Sequence, residues 1–189
     1  MAAFIRHMQL APGSRILDLG GQPRTWQPVE IPLNITILNL PGVANADVDL
    51  RNHQVRYVEG DACRVADFSC GDFDIIYSNS VIEHVGAEDR QEAFAAEVQR
   101  LGKRYWVQTP SKWFPVEAHC GMPLWWFYPQ PVRQAVIERW RKKLPEWTEM
   151  VDGTRVLTLK RLRSLFPGAS TYTEWMFGFP KSYTIYSNG

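Results

Sequence analysis

The stretch FDIIYSNSVIEHVGAEDRQEAFAAEVQRLGKRYWVQT, residues 73–109, reads as strand, loop, helix and strand in succession. FDIIYS (73–78) and RYWVQT (104–109) have strand length, are rich in Ile, Val and Tyr, and are apolar on nearly consecutive positions. That is the pattern of a parallel strand covered on both faces. Between them Phe94, Val98 and Leu101 fall at i, i+4 and i+7, with Glu88 and Asp89 in the first turn and Gly102 as a stop. A helix that carries the chain from one strand to a parallel neighbour makes a βαβ unit, which points to an α/β sheet.

The same reading extends in both directions. RILDL (15–19), ITILNL (35–40) and VRYVE (55–59) are further short apolar strands bounded by turn residues. Pro23, Pro28 and Pro32 crowd the segment after the first strand, so the first crossover helix is expected to be short or absent. Later, PVRQAVIERWRKKLP (131–145) places Val132, Val136, Trp140 and Leu144 on one stripe of a helix begun by Pro131 and ended by Pro145. TLKRLRSLFPG (158–168) is a second helix, with Thr158 as N-cap and Gly168 beyond its end. STYTEWMFGF (170–179) and KSYTIYS (181–187) are close enough to pair as antiparallel strands. The expected fold is α/β: a Rossmann-like, open, mostly parallel sheet with helices on both faces and an antiparallel C-terminal strand pair, spanning 1–189 as one domain.

Composition narrows the function classes. The chain has 189 residues, enough for an enzyme-sized core, with 45% hydrophobic and 22% charged residues. No apolar run approaches the roughly 18 residues of a membrane span, and Arg6 and His7 interrupt the N-terminal stretch where a signal peptide needs an apolar centre. The expected location is cytoplasmic. Cys63, Cys70 and Cys120 form no C-x-x-C pair of the kind that suggests zinc or redox work, and no metal-ligand set is marked. A formal charge of +1 gives no electrostatic case for nucleic acid. The segment 133–163 carries nine Lys/Arg against four Asp/Glu, read as a solvated helix face.

In an open α/β sheet ligands bind beyond the carboxyl ends of the strands, where strand order reverses. The residues at those exits are Asp18, Gly20 and Gly21 after the first strand and Asn39 after the second. Gly60, Asp61 and Ala62 follow the third, SNSVIEHV (78–85) the fourth, and TPSKWFPVEAHC (109–120) the fifth. Small and polar residues gather at all five. A dinucleotide fingerprint would need G-x-G-x-x-G at the first exit, and only Gly20 and Gly21 are present.

With ILDLGG, EGDA, FDIIYSNSVIEHV and LFPGA in this order, the chain resembles the class I S-adenosylmethionine-dependent methyltransferases. It is closest in pattern to the small-molecule branch that includes ubiquinone/menaquinone-type and type 11 enzymes. The resemblance runs from about Arg15 to the C-terminus and implies S-adenosyl-L-methionine as cofactor. It implies that Gly20 and Gly21 pass close to the methionine part of that cofactor, with Asp18 fixing its amino group or ordering the loop. Asn39 would meet the ribose, Asp61 and Ala62 the adenine, and Asn79 and Ser80 the region near the sulfonium. The chain departs from the family pattern where Gln22 and Arg24 replace glycines and where Asn39 replaces a carboxylate. An amide oxygen still accepts one hydrogen bond there.

Methyl transfer from a sulfonium needs alignment first, which in well-oriented systems supplies up to roughly 7 to 11 kcal/mol. A base helps when the acceptor must lose a proton, and His84, Glu117 and His119 are the candidates beyond the fourth and fifth strands. The segment at about 111–150, with Trp113, Phe114, Trp125, Trp126, Phe127 and Tyr128, either covers a partly apolar or aromatic substrate or packs the following helix onto the sheet. The competing function is a non-catalytic protein of the same fold that acts through a partner, which Gln22, Arg24 and Asn39 would favour.

Overall fold

The computed structural model describes residues 1–43, 48–50 and 52–187. Seven strands form one sheet: β1 (Arg15–Leu19), β2 (Asn34–Asn39), β3 (Gln54–Glu59), β4 (Phe73–Asn79), β5 (Gly102–Pro110), β6 (Ser170–Met176) and β7 (Phe179–Ser187). Their spatial order is β3-β2-β1-β4-β5-β7-β6. The first five are mutually parallel, while β7 runs antiparallel to both β5 and β6. Strand order therefore reverses between β1 and β4, and the crevice at their carboxyl ends is where this fold places ligands.

Apolar residues on both faces of the central strands account for that burial. Leu17, Leu19, Ile76 and Val107 point to one side, where helix α2 (Glu88–Leu101) and a short helix, Leu159–Leu165, cover them. Ile16, Ile35, Ile37, Ile75 and Tyr77 point to the other, covered by helix α1 (Ala2–Met8) through Phe4 and Met8 and by Trp26. Phe94, Val98 and Leu101 of α2 are all fully buried, as the crossover reading requires. The proline-rich segment after β1 forms only a single 3-10 turn, Pro23–Trp26, in place of a crossover helix.

Two further helices, α3 (Gln130–Arg141) and α4 (Pro145–Gly153), pack against each other; the short helix that follows them, Leu159–Leu165, is α5. Thr158 caps α5 as expected, its hydroxyl accepting from the Arg161 amide at 3.1 Å. The expected stripe on α3 is corrected. Val132 and Leu144 are exposed, and the buried residue is Ile137, which joins Trp125 and Val151 in a separate small core. Val136 and Trp140 pack at its margin, with Trp140 stacked on Trp125 at 5.3 Å between ring centroids. This helix rests on α4 and the Trp125 turn, so the face that counts is rotated from the one a sheet-packed helix would use. No described helix is long and apolar enough to cross a membrane.

Candidate functional site

The loop after β1 is built around a buried carboxyl. Asp18 has no exposed surface, and its Oδ2 accepts from the Trp26 indole at 2.7 Å while Oδ1 has no partner among the described residues. Burial pushes this carboxyl up to about 7, with the Trp26 hydrogen bond pulling the other way. A Cβ on Gly21 would lie 1.8 Å from Asp18 Oδ2, so glycine is the residue that lets the loop close over the carboxyl. Gly20 adopts φ +70° and would drive a side chain into Val81, 2.6 Å away. Asp18 therefore orders the loop from below and does not reach the cleft.

Asn39, at the end of β2, gives its side-chain N–H to the Gly21 carbonyl at 3.1 Å. A carboxylate could not make that bond, which supplies a structural reason for an amide at this position. Its Oδ1 is the atom left to meet a ligand. Beyond β3, Asp61 accepts from the Cys63 amide at 2.9 Å and from one Arg90 nitrogen at 2.8 and 2.7 Å. Desolvation is the largest single influence and raises its pKa, but the Cys63 amide and the Arg90 guanidinium together hold the carboxyl below its usual range. Arg90, on α2, went unremarked in the sequence because nothing in its local pattern separates it from other helix-surface arginines.

These residues enclose a cleft of about 340 Å³ lined by Gly20, Leu38, Asn39, Asp61, Ala62 and Ser80, among others. On the far side of Ser80 a second cavity of about 770 Å³ opens, whose lining includes Asn79, Ser80, Trp106, Phe114, Glu117 and Trp126. Ser80 lines both and holds φ 58°, an uncommon conformation for a residue with a side chain. Its hydroxyl donates to Gln108 Oε1 at 3.2 Å and its amide to the Gln108 carbonyl at 3.0 Å, which fixes the turn. Asn79 lines only the larger cavity. The aromatic segment divides its roles: Trp125 is buried beneath α3, whereas Phe114 and Trp126 face the cavity. Met1 with Ala2, Ala3 and Arg6 of α1, and Tyr172, Glu174 and Lys181 of the β6–β7 pair, add to the wall, which the sequence did not suggest. The basic run contributes Arg133, Arg155 and Arg161 to a third cavity of about 820 Å³.

His84, Glu117 and His119 come together although they leave different strands. His84 Nε2 and His119 Nε2 are 2.9 Å apart, and His119 Nδ1 lies 2.6 Å from Glu117 Oε1. Glu117 Oε2 accepts from the His119 and Cys120 amides, both at 2.7 Å. Desolvation is the largest single influence on Glu117 and raises it, but His119 and the Cys120 amide together hold its carboxyl below the usual carboxylate range, and Glu117 in turn raises His119. Burial and the neighbouring His119 lower His84. Glu83 is the member the sequence missed. It is fully buried, accepts from the Thr109 hydroxyl at 3.0 Å, and is pushed up to about 7 by desolvation. Its place beside His84 in SNSVIEHV was legible, but its inward direction was not.

Residues 35–104 match the family described as "Methyltransferase domain". No curated protein sequence matches the chain. Among solved structures, similarity extends to phosphoethanolamine N-methyltransferase 2 of Haemonchus contortus, in complex with phosphomonomethylethanolamine and S-adenosylhomocysteine. There the TM-score is 0.57 at 13% identity, over 91% of this chain and 37% of that one. The chain thus spans little more than a third of that protein. A putative methyltransferase in complex with the Trm112 methyltransferase activator of Haloferax volcanii is similar with TM-score 0.61 and 12% identity, over 98% and 86% of the two chains. Magnesium protoporphyrin IX methyltransferase from Synechocystis PCC 6803, with bound S-adenosylhomocysteine, gives 0.57 and 15%, over 97% and 78%. The chain has the Rossmann-like fold of the class I methyltransferases, and its central segment carries the sequence pattern of a methyltransferase domain.

Proposed function

We propose that the chain is an S-adenosyl-L-methionine-dependent methyltransferase acting on a small, partly apolar or aromatic acceptor. The observation that carries this reading is the pair of cavities meeting at Ser80, at the switch point between β1 and β4. The cleft suits an adenosine: Leu38, Val81 and Val85 offer apolar walls, Asn39 an acceptor for a ribose hydroxyl, and Asp61 an acceptor for an amino group. Gly20 and Gly60 line it without side chains, Ala62 adds only a methyl group, and the Asp18-supported loop keeps Gly21 in place. The cofactor, when bound, supplies an electrophilic methyl on a sulfonium centre.

The protein's own residues then hold the acceptor in line and prepare it. Trp106, Phe114 and Trp126 would grip an apolar body, while Asn79 and Gln108 provide polar contacts near the junction. Segment 111–150, with α1, serves as the cover that excludes water from the acceptor. His84, His119 and Glu117 form the group placed to activate it. The test is transfer of labelled methyl from the cofactor into a panel of aromatic and amphiphilic hydroxyl, amine and thiol compounds. Transfer should fall at least about 100-fold in His119→Ala, the loss typical of a removed acid–base group. Full activity in both His84→Ala and His119→Ala would remove the cluster from the reaction.

A second reading, in which the chain is not catalytic and works through a partner, draws on the β6–β7 hairpin tip. Trp175, Phe177 and Phe179 are exposed there, Phe177 at 89%. Failure of the folded chain to bind S-adenosylhomocysteine would favour that reading.

A further inference from the structure

The hydrogen bonds around His84 and His119 fix where their protons lie. Thr154 Oγ1 gives its single proton to the Met150 carbonyl at 2.8 Å, so in its 3.4 Å contact with His84 Nδ1 the imidazole is the donor. On the other ring, Nδ1 faces the Glu117 carboxylate at 2.6 Å and donates to it. Both neutral rings therefore carry their lone pairs on Nε2, and these two nitrogens face each other at 2.9 Å. Two lone pairs at that separation repel unless a cation sits between them.

A proton on one ring would relieve the repulsion but leaves a third donor unexplained. Glu83 is buried to 0% exposure beside the pair, with Thr109 bound to Oε2 and nothing among the described residues bound to Oε1. One donor atom from each of Glu83, His84 and His119 lies within 4.8 Å of the others. Two imidazoles and a carboxylate are a donor set that suits zinc and its first-row neighbours, with at least one position left open on a four-coordinate ion. The contacts behind the rings fit as well, because imidazole ligands commonly donate their second N–H to a carboxylate or hydroxyl that fixes the tautomer. We propose that Glu83, His84 and His119 bind a divalent transition-metal ion of the zinc class, oriented by Glu117 and Thr154. The ion's place is between the two cavities, since His84 lines the cleft and Glu117 the larger cavity.

The test uses the intact chain, stripped with a chelator and titrated with zinc chloride against a chromophoric competitor in the absence of cofactor. One ion per chain is expected, with affinity lowered at least about 100-fold in His119→Ala and in Glu83→Gln, and about 10- to 100-fold in Glu117→Gln. Cobalt(II) titrated into the wild-type chain should give the visible bands of nitrogen and oxygen ligation without a thiolate charge-transfer band. That readout stands even where a variant fails to fold. The proposal is overturned by absence of stoichiometric zinc uptake, by uptake that is unchanged in folded His84→Ala and His119→Ala, or by a thiolate band that places the ion on cysteine. A bound ion would occupy Nε2 of both rings, so at this position it would replace the imidazole base of the proposed function with a Lewis acid. Because no cofactor is present, failure here leaves the methyl-transfer reading standing, and failure of methyl transfer leaves the metal site standing.

Discussion

Asp18 is fully buried under the Gly20-Gly21 loop, and burial pushes its carboxyl from the ordinary 3.8 up to about 7. Between those two values the folded chain holds the proton that the unfolded chain releases, so ionisation opposes folding. Stability should therefore fall as pH rises from about 4 to about 7 and level off above, by at most about 4 kcal/mol. Tyr77 is the titratable group facing Asp18, and burial raises it further above this range, so it stays neutral. In Asp18→Asn the Trp26 bond can persist while the titration disappears; denaturant midpoints measured from pH 4 to 8 should lose that part of their slope, and an unchanged slope would contradict the assignment. At the neighbouring glycine, a methyl group meets the carboxyl at 1.8 Å. Gly21→Ala should cost about 1 to 3 kcal/mol through forced movement of the loop, read as a lowered thermal midpoint. Asp18 and the two glycines were legible as a site because they sit at a strand exit. That Asp18 works from beneath the loop was not, since only Trp26 folding back over it shows the direction.

The central strands β1, β2, β4 and β5 and helix α2 were legible because each buries apolar residues against something continuous in space: the sheet for α2, helices or packed loops for the strands. Helix α3 was not, because its partner is α4 and the Trp125 turn, and sequence periodicity alone does not say what a helix packs on. The insertion therefore has its own small core. Trp125→Ala should remove about 3 to 5 kcal/mol of packing from it. Limited proteolysis should then cut within 111–158 while the sheet stays resistant; simultaneous loss of both would show that the insertion and sheet share one core. Thr158→Ala, which deletes the cap of α5, should cost about 1 kcal/mol in denaturant unfolding.

Across the whole molecule, the sheet order brings five loops to one end and leaves two cavities that meet at Ser80. The strand exits named most of the cleft in advance, because in this architecture the exit itself is the address. The Glu83–His84–His119 cluster was only half visible, since His119 lies 35 residues beyond His84 in the chain and meets it through the fold of the segment after β5. The central claim concerns the smaller cleft, and calorimetric titration with S-adenosylhomocysteine tests it most directly. One molecule should bind per chain, with affinity reduced at least about 10-fold in Asp61→Ala, the loss of one charge-assisted hydrogen bond. A folded wild-type chain that gives no binding heat at millimolar ligand, across several temperatures, would contradict the account.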